Sequence, residues 1–204
     1  MKNYFLTILL FVSLSTLAAG PIGYGGIKIG MNKSAIEKIS SAESVHIVGD
    51  LTPYEYKNGE TPIDREDKYK GLIKTPLAEQ PLSTDLTFTD DKLTFIYIRV
   101  PNESMLNSAK SQISEKYGKP IAKEEKKEEQ CIYRNGNSFN LSGGYFSYTW
   151  EMKEKGRVVK TDVSKFITTM CPSDLRYGTT DQIKIMSISF ELEQVKKPKA
   201  QNSF

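Results

Sequence analysis

The chain is poor in the side chains that most catalysis needs. It contains a single histidine, His46, and no His-Glu-x-x-His, Gly-x-Ser-x-Gly or P-loop motif. A serine or cysteine triad would have to use His46, which lies between Val45 and Ile47 in "SVHIVGDL", an alternating stretch that reads as a strand. Asp90-Asp91 reads as a hairpin turn and Glu151 as the exposed face of a strand. "LSGGY" has the glycines of a phosphate cradle but no following helix, so it reads as a β-turn. A hydrolase built on two carboxylates is the third functional reading, because the spacing it needs is spatial rather than sequential. No catalytic residue, metal ligand or cofactor site is expected.

Long apolar runs are also missing, with one exception at the start. Lys2 gives a positive n-region, "YFLTILLFVSLSTL" an apolar core and "AAG" the small residues of a cleavage site. The run falls short of the ~20 residues that span a bilayer. Residues 1–20 are therefore expected to be a signal peptide, cleaved between Ala18 and Gly20, with no stable membrane anchor afterwards. No cysteine sits at the junction to carry a lipid. The protein is expected to be periplasmic or secreted. About 184 residues remain, the size of one domain.

Cysteine is equally scarce. Cys131 and Cys171 are the only two, and in an exported protein an even pair is most simply a disulfide. Two free thiols are the alternative, disfavoured by an oxidising compartment. One histidine makes metal binding by this pair weaker still. Nor is there an excess of charge: the formal net charge is +3, with Lys and Glu interspersed, so no bulk field draws nucleic acid or an anionic membrane. Only the end of the chain is plainly basic, and residues 195–204 are expected to be a disordered tail.

What is present is an alternation of short helices and strands over residues 21–194. "GIKIG" reads as a short strand or extended arm. Asn32 then caps a short helix with Ile36 and Ile39 on its apolar face, Met31 and Ile36 being placed for a hydrophobic staple. Residues 52–81, with four prolines, read as a long polar loop; its Tyr54, Tyr56 and Tyr69 either pin it to the body or meet a partner. In "DLTFTDDKLTFIYIRV" Leu93, Phe95 and Tyr97 share one strand face, and Ile96, Ile98 and Val100 the other. That pattern predicts a central strand covered on both sides. Asn102 caps the clearest helix, with Leu106, Ala109, Ile113 and Tyr117 along one face and a stop at Gly118 and Pro120. "KEEKKEEQ" reads as a solvated connector.

The stretch "CIYRNGNSFNLSGGYFSYTWEM" then predicts a hairpin with a type I′ turn at Asn135-Gly136, a reversal at "SGG", and a strand. Phe146, Tyr148, Trp150 and Met152 point inward on that strand. "KEKGR" makes a further turn, and "IKIMSISFELE" is a last strand with Met186, Ile188, Phe190 and Leu192 on its apolar face. The sum is an α+β domain: an antiparallel β-meander sheet with two main helices packed on one face, in two halves of helix plus strands, about 24–100 and 101–194.

Tyrosine is the abundant aromatic, with eleven in the chain. Tyr and Trp offer a large apolar body with a polar tip and are enriched where proteins meet. Once alternation sends the other aromatics inward, Tyr145 and the turn residues Arg134, Asn135 and Asn137 stay available to a partner, together with Tyr54 and Tyr56.

"GIKIGMNKSAIEKI", with its Gly-x-x-x-Gly-Met, capping residue and helix, resembles the opening of the SmpA/OmlA outer-membrane assembly lipoproteins. It is also similar to periplasmic proteins whose later part runs "L…KYGKP…W", here "ISEKYGKP" and Trp150. The helix-then-meander order, given twice, is similar to the β-lactamase-inhibitor-like architecture. The chain departs from the lipoproteins in lacking a lipidated cysteine. The resemblance implies a non-catalytic exported α+β protein that works by binding. Export, the missing catalytic motifs and the aromatic meander then point to a protein partner, with an inhibitor or immunity factor for an exported protein as the first reading. The second reading is a cell-envelope assembly or maintenance factor.

Overall fold

In chain order the elements are β1 (Gly23–Tyr24), β2 (Ile27–Lys28), α1 (Lys33–Glu37), β3 (His46–Pro53), β4 (Glu66–Lys74), β5 (Leu82–Thr89), β6 (Lys92–Arg99), α2 (Glu103–Tyr117), β7 (Ile121–Ile132), β8 (Ser138–Glu154), β9 (Arg157–Met170) and β10 (Asp181–Glu193). This computed structural model describes residues 21–57, 59–132, 135–154, 156–171 and 181–193. The expected signal peptide and basic tail lie outside the described residues. β1 and β2 form a small hairpin; the other strands form one antiparallel sheet in the order β3-β4-β5-β6-β10-β9-β8-β7. Each helix thus precedes a four-stranded meander. The two meanders join where β6 and β10 pair, from Ser187 opposite Arg99 to Glu191 opposite Phe95.

The antiparallel sheet with two helices is the class expected from the sequence, and the helix ends follow the expected capping. Asn32 Oδ1 accepts from the Ala35 N–H at 2.8 Å, and Asn102 Oδ1 from the Met105 N–H at 2.9 Å. Each satisfies an orphan donor of a first helical turn. Gly118, at φ +85°, ends α2 and donates to Ser114 O at 2.8 Å.

Sheet register explains the core. One row across the sheet runs Thr84, Ile98, Ile188, Val163, Tyr148; the next runs Leu86, Ile96, Phe190, Thr161, Trp150. All except the half-buried Tyr148 are buried, and Ile36 of α1 and Leu106, Ala109 and Ile113 of α2 belong to the same cluster. Each such Leu, Ile or Phe removed from water stabilises the fold by about 1.5–3 kcal/mol. The polar members are satisfied: Thr84 Oγ1 donates to Tyr97 O at 2.9 Å, Thr161 Oγ1 to Pro21 O at 3.0 Å and Trp150 Nε1 to Gly118 O at 2.9 Å.

Several expectations are corrected. The polar loop expected over 52–81 contains β4, whose Gly71 backs onto Leu51; a Cβ there would lie 2.7 Å from Leu51 Cδ2. "KEEKKEEQ" is the body of β7, an edge strand exposed along nearly its whole length. β9 was not anticipated. "SGG" does not reverse the chain, for β8 runs through it without a break. Gly144, at φ +132°, lies within the strand, and the position takes glycine because a Cβ would sit 2.0 Å from Glu125 O on β7. Leu93 does not share a face with Phe95. A register shift opposite Thr87 and Phe88 returns Leu93 to the core beside Phe88. Phe95 and Tyr97 are only half-buried, so β6 lacks the second cover expected for it.

The tight two-residue turn also lies elsewhere. Ile132 pairs with Ser138, so five residues separate β7 from β8. Asp90 and Asp91, at φ +51° and +58°, join Thr89 to Lys92, the pair of positive φ values that a type I′ turn requires. Arg65 clamps this turn, its Nε donating to Asp90 Oδ1 at 2.6 Å and its Nη2 to Oδ2 at 2.5 Å.

Cys131 and Cys171 form a disulfide, with an S–S distance of 2.03 Å and a sequence separation of 40. It closes the far end of the β7–β9 ribbon. On the chain-entropy model its loss, in a Cys131→Ser/Cys171→Ser double variant, lowers unfolding free energy by about 4 kcal/mol. Urea denaturation measures this. By the same assay Asp91→Gly is expected to stabilise the protein by about 0.5–1 kcal/mol, since glycine takes the positive φ without a Cβ penalty.

Candidate binding face

Alternation along a strand gives the sheet a second face, and the register assigns its residues. One row reads Tyr145, Phe166, Ile185; the next Ser147, Ser164, Ser187; the next Thr149, Asp162, Ser189, Tyr97, Asp85; the last Glu151, Lys160, Glu191, Phe95, Thr87. This face is not sealed as the core is. Phe166 is 43% exposed and Ile185 46%. On the same face Leu72 of β4, opposite Ser83, is 46% exposed. Large apolar side chains left in water as a group, with polar neighbours, mark contact surfaces.

The serine row gives this face relief. Ser164 Oγ and Ser187 Oγ lie 3.1 Å apart, and Ser147 and Ser187 are buried by the larger residues that flank them. A trough floored by small hydroxyls therefore crosses β8, β9 and β10, with the Tyr145–Phe166–Ile185 ridge on one side. On the other, Thr149 Oγ1 donates to Asp162 Oδ1, and Phe95 stacks on Tyr97 with ring centroids 6.3 Å apart.

At the β4–β6 end of this face the segment after β3 forms the wall of a groove of about 1020 Å³, lined by Tyr54, Tyr56, Lys68, Asp85, Phe95 and Glu191 among others. Tyr54 and Tyr56 pack edge to face at 5.2 Å, and Lys70 Nζ lies 4.4 Å over the Tyr54 ring. An ammonium over an aromatic face is held by the ring quadrupole. The Tyr54 hydroxyl approaches Glu60 Oε2 at 3.4 Å. That carboxylate raises the Tyr54 pKa above the ordinary phenol value, with desolvation, the hydrogen bond to Glu60 and the charge of Asp85 adding to it. Three of the groove's acids have cationic partners. Arg99 reaches Asp85 at 3.7 Å, Lys160 reaches Glu193 at 3.1 Å and Lys68 reaches Glu66 at 3.8 Å.

The residues singled out from the sequence do not form one site. Tyr54 and Tyr56 belong to the groove. Tyr145 lies on the same sheet face but at the other end, opposite Glu125 and Phe166. Asn135 and Asn137 are exposed at the tip between β7 and β8, where Asn137 N–H donates to Asn135 Oδ1 at 3.0 Å. Arg134 lies outside the described residues. Of the aromatics expected inward, Trp150 is buried; Tyr148, Phe146 and Met152 are half-buried, with Lys165 Nζ 5.0 Å over the Phe146 ring. Sequence reading passed over Phe95, Tyr97, Phe166, Ile185 and Leu72. An apolar residue on an open face carries the same signal as one under cover.

His46 is half-buried, its Nδ1 2.8 Å from Glu43 O. Among the described residues no group of three or more His, Cys, Asp or Glu side chains could hold a metal ion, and no helix is long and apolar enough to cross a membrane. No family model, curated protein or solved structure matches the chain.

The sign of the Tyr54 shift gives a test of the groove's electrostatics. A tyrosinate beside the Glu60 carboxylate is disfavoured, so Glu60→Gln should lower the Tyr54 pKa toward the ordinary value. Titration of the Tyr54 ring by NMR reads it, and an unchanged midpoint would show that Glu60 is not the cause.

Proposed function

We propose that this is an exported, non-enzymatic binding protein that uses the open face of its eight-stranded sheet to hold another exported protein, as an inhibitor or immunity factor. One observation carries the reading: the sheet buries the centre of one face, from Leu86 and Ile98 to Trp150, while the other keeps an ordered array of aromatic and aliphatic side chains in contact with water. A surface of aromatic anchors around a small-residue trough suits a protein partner better than a small substrate.

Further support comes from the sequence. The Lys2-to-Gly20 signal pattern and the Cys131–Cys171 disulfide fit a periplasmic or secreted protein. The repeated helix-then-meander order, with both helices taken to lie on the core side, fits the inhibitor-like architecture. Fold likeness alone names no partner, so the reading rests on the face.

The test is a purified complex. The tagged exported chain is incubated with envelope or culture proteins, the recovered enzyme is identified, and its activity is measured with added wild-type protein. Tyr97→Ala and Tyr145→Ala are each expected to weaken inhibition about tenfold or more, as anchor truncations of roughly 1.4 kcal/mol or above do. Glu115→Ala, exposed on α2, should leave it unchanged. Equal inhibition by all four proteins would remove the open face from the mechanism.

A further inference from the structure

Among the stretches of edge with no strand paired beside them in the described residues are four on β7, β3, β8 and β10, and three of these are defended. β7 presents the run Lys123–Glu129, seven charges in succession. β3 changes register between Val48 and Thr52 and ends at Pro53. β8 outlasts β7, which stops opposite Thr149, and its remaining residues include Glu151 and Lys153. Charge, bulges and proline are the means by which edges escape pairing with other chains.

The fourth edge is the least defended: it carries Asp181 and Lys184 but no bulge or proline, and Ile183 and Ile185 stand exposed between and beside the charges. β10 continues past the end of β6: Ser187 faces Arg99, Val100 N–H donates to Met186 O at 2.8 Å, and the chain then leaves through Pro101 for the cap of α2. Asp181–Ile185 therefore has β9 on one side and no described strand on the other. Its exposed side chains include Ile183 at 49% and Ile185 at 46%. Because the Met186 carbonyl points toward β6, the backbone groups of Lys184 and Gln182 point the same way, two residues at a time. Each opens an N–H and a C=O into the gap.

We propose that this gap is a strand-addition site, which an extended segment of a partner protein enters to continue the line of β6. The five residues Asp181–Ile185 span about 17 Å at ~3.4 Å per residue. Backbone bonds to Lys184 and Gln182 hold the segment, and alternation selects it. Side chains on the open face meet Ile183 and Ile185, so they are apolar. The side chain on the other face meets Lys184, whose Nζ reaches Glu103 only at 3.9 Å, so an acidic residue suits that position. The inference rests on the reading of the molecule as a binding protein; it turns on the backbone of the edge, with Ile185 shared between the edge and the open face.

Proline is tolerated on a strand where its missing N–H faces away from the ladder. Lys184→Pro thus removes the donor in the gap while the β9 bonds of Ile183 and Ile185 persist. The probe is the peptide acetyl-Val-Glu-Val-Thr-Thr-amide, whose five residues face Ile185 to Asp181 in turn, titrated into the isotope-labelled exported chain and followed by NMR. Shifts are expected at Gln182–Ile185, with slower exchange of the Lys184 amide. Lys184→Pro should weaken binding about tenfold or more, the worth of one or two net hydrogen bonds, and Lys184→Arg less than about twofold. Ile185→Lys supplies a second loss should the proline variant fail to fold. Binding unaffected by Lys184→Pro and Ile185→Lys overturns the proposal. So does a Lys184 amide already protected in the free chain, whether by a second copy, which concentration dependence reveals, or by the chain's own residues. If the peptide fails while Tyr97→Ala and Tyr145→Ala still weaken inhibition, the edge falls and the face stands.

Discussion

The pairing of β6 with β10 is the constraint on which the rest of the molecule depends, because it turns two four-stranded meanders into one sheet. Only five residue pairs make the join. Yet Ile98 beside Ile188 and Ile96 beside Phe190 carry both buried rows across it, and all four are buried. Either meander alone would leave an apolar edge and half a core in water. The partners are also far apart in sequence, so the entropy of closing the intervening chain must be overcome before the contact rewards it. Neighbouring strands within each meander carry no such delay. The structure is locally simple and globally dependent on one contact between strands distant in sequence.

That join also sets the geometry of the open face. Phe95 and Tyr97 come from the first meander, Tyr145, Phe166 and Ile185 from the second, and the serine trough approaches the seam between them. A surface assembled from both meanders exists only in the completed sheet. Antiparallel sheets commonly leave one face wet, but a wet face is ordinarily polar. Here apolar residues sit there beside Ser147, Ser164 and Ser187, whose small size lowers the surface between ridges. Such a face adds little to folding stability.

Legibility followed burial. α2 was readable because Asn102, the spacing of Leu106, Ala109 and Ile113, and Gly118 all agree. β5 and β10 were readable because Leu82 to Phe88 and Met186 to Phe190 each bury one face with a clean alternation. β4 and β7 were not, since Lys and Glu dominate them and glycine or charge stands where strand residues are expected. β8 was broken in two on paper because Gly143 and Gly144 look like a turn. Their role is space for a neighbouring backbone, which is visible only once β7 and β9 are in place. The register shift beside Phe88 misled the reading of Leu93 for the same reason: one extra residue exchanges the faces of everything beyond it. As for the binding face, the tyrosines before β4 and Tyr145 were legible as aromatics. Their separation along the sheet was not, because strand order is a tertiary fact.

Trp150 has a further use. It is the only tryptophan in the chain, it is buried, and its indole N–H is tied to Gly118 O, where α2 ends. The molecule therefore carries one optical gauge, placed at the seam between a helix terminus and the sheet. Red-shifted emission with undiminished far-ultraviolet dichroism would register α2 lifting from its seat while the strands stayed paired. Loss of both signals together would instead report collapse of the sheet, so a single spectroscopic pair separates local opening from global unfolding without an added label.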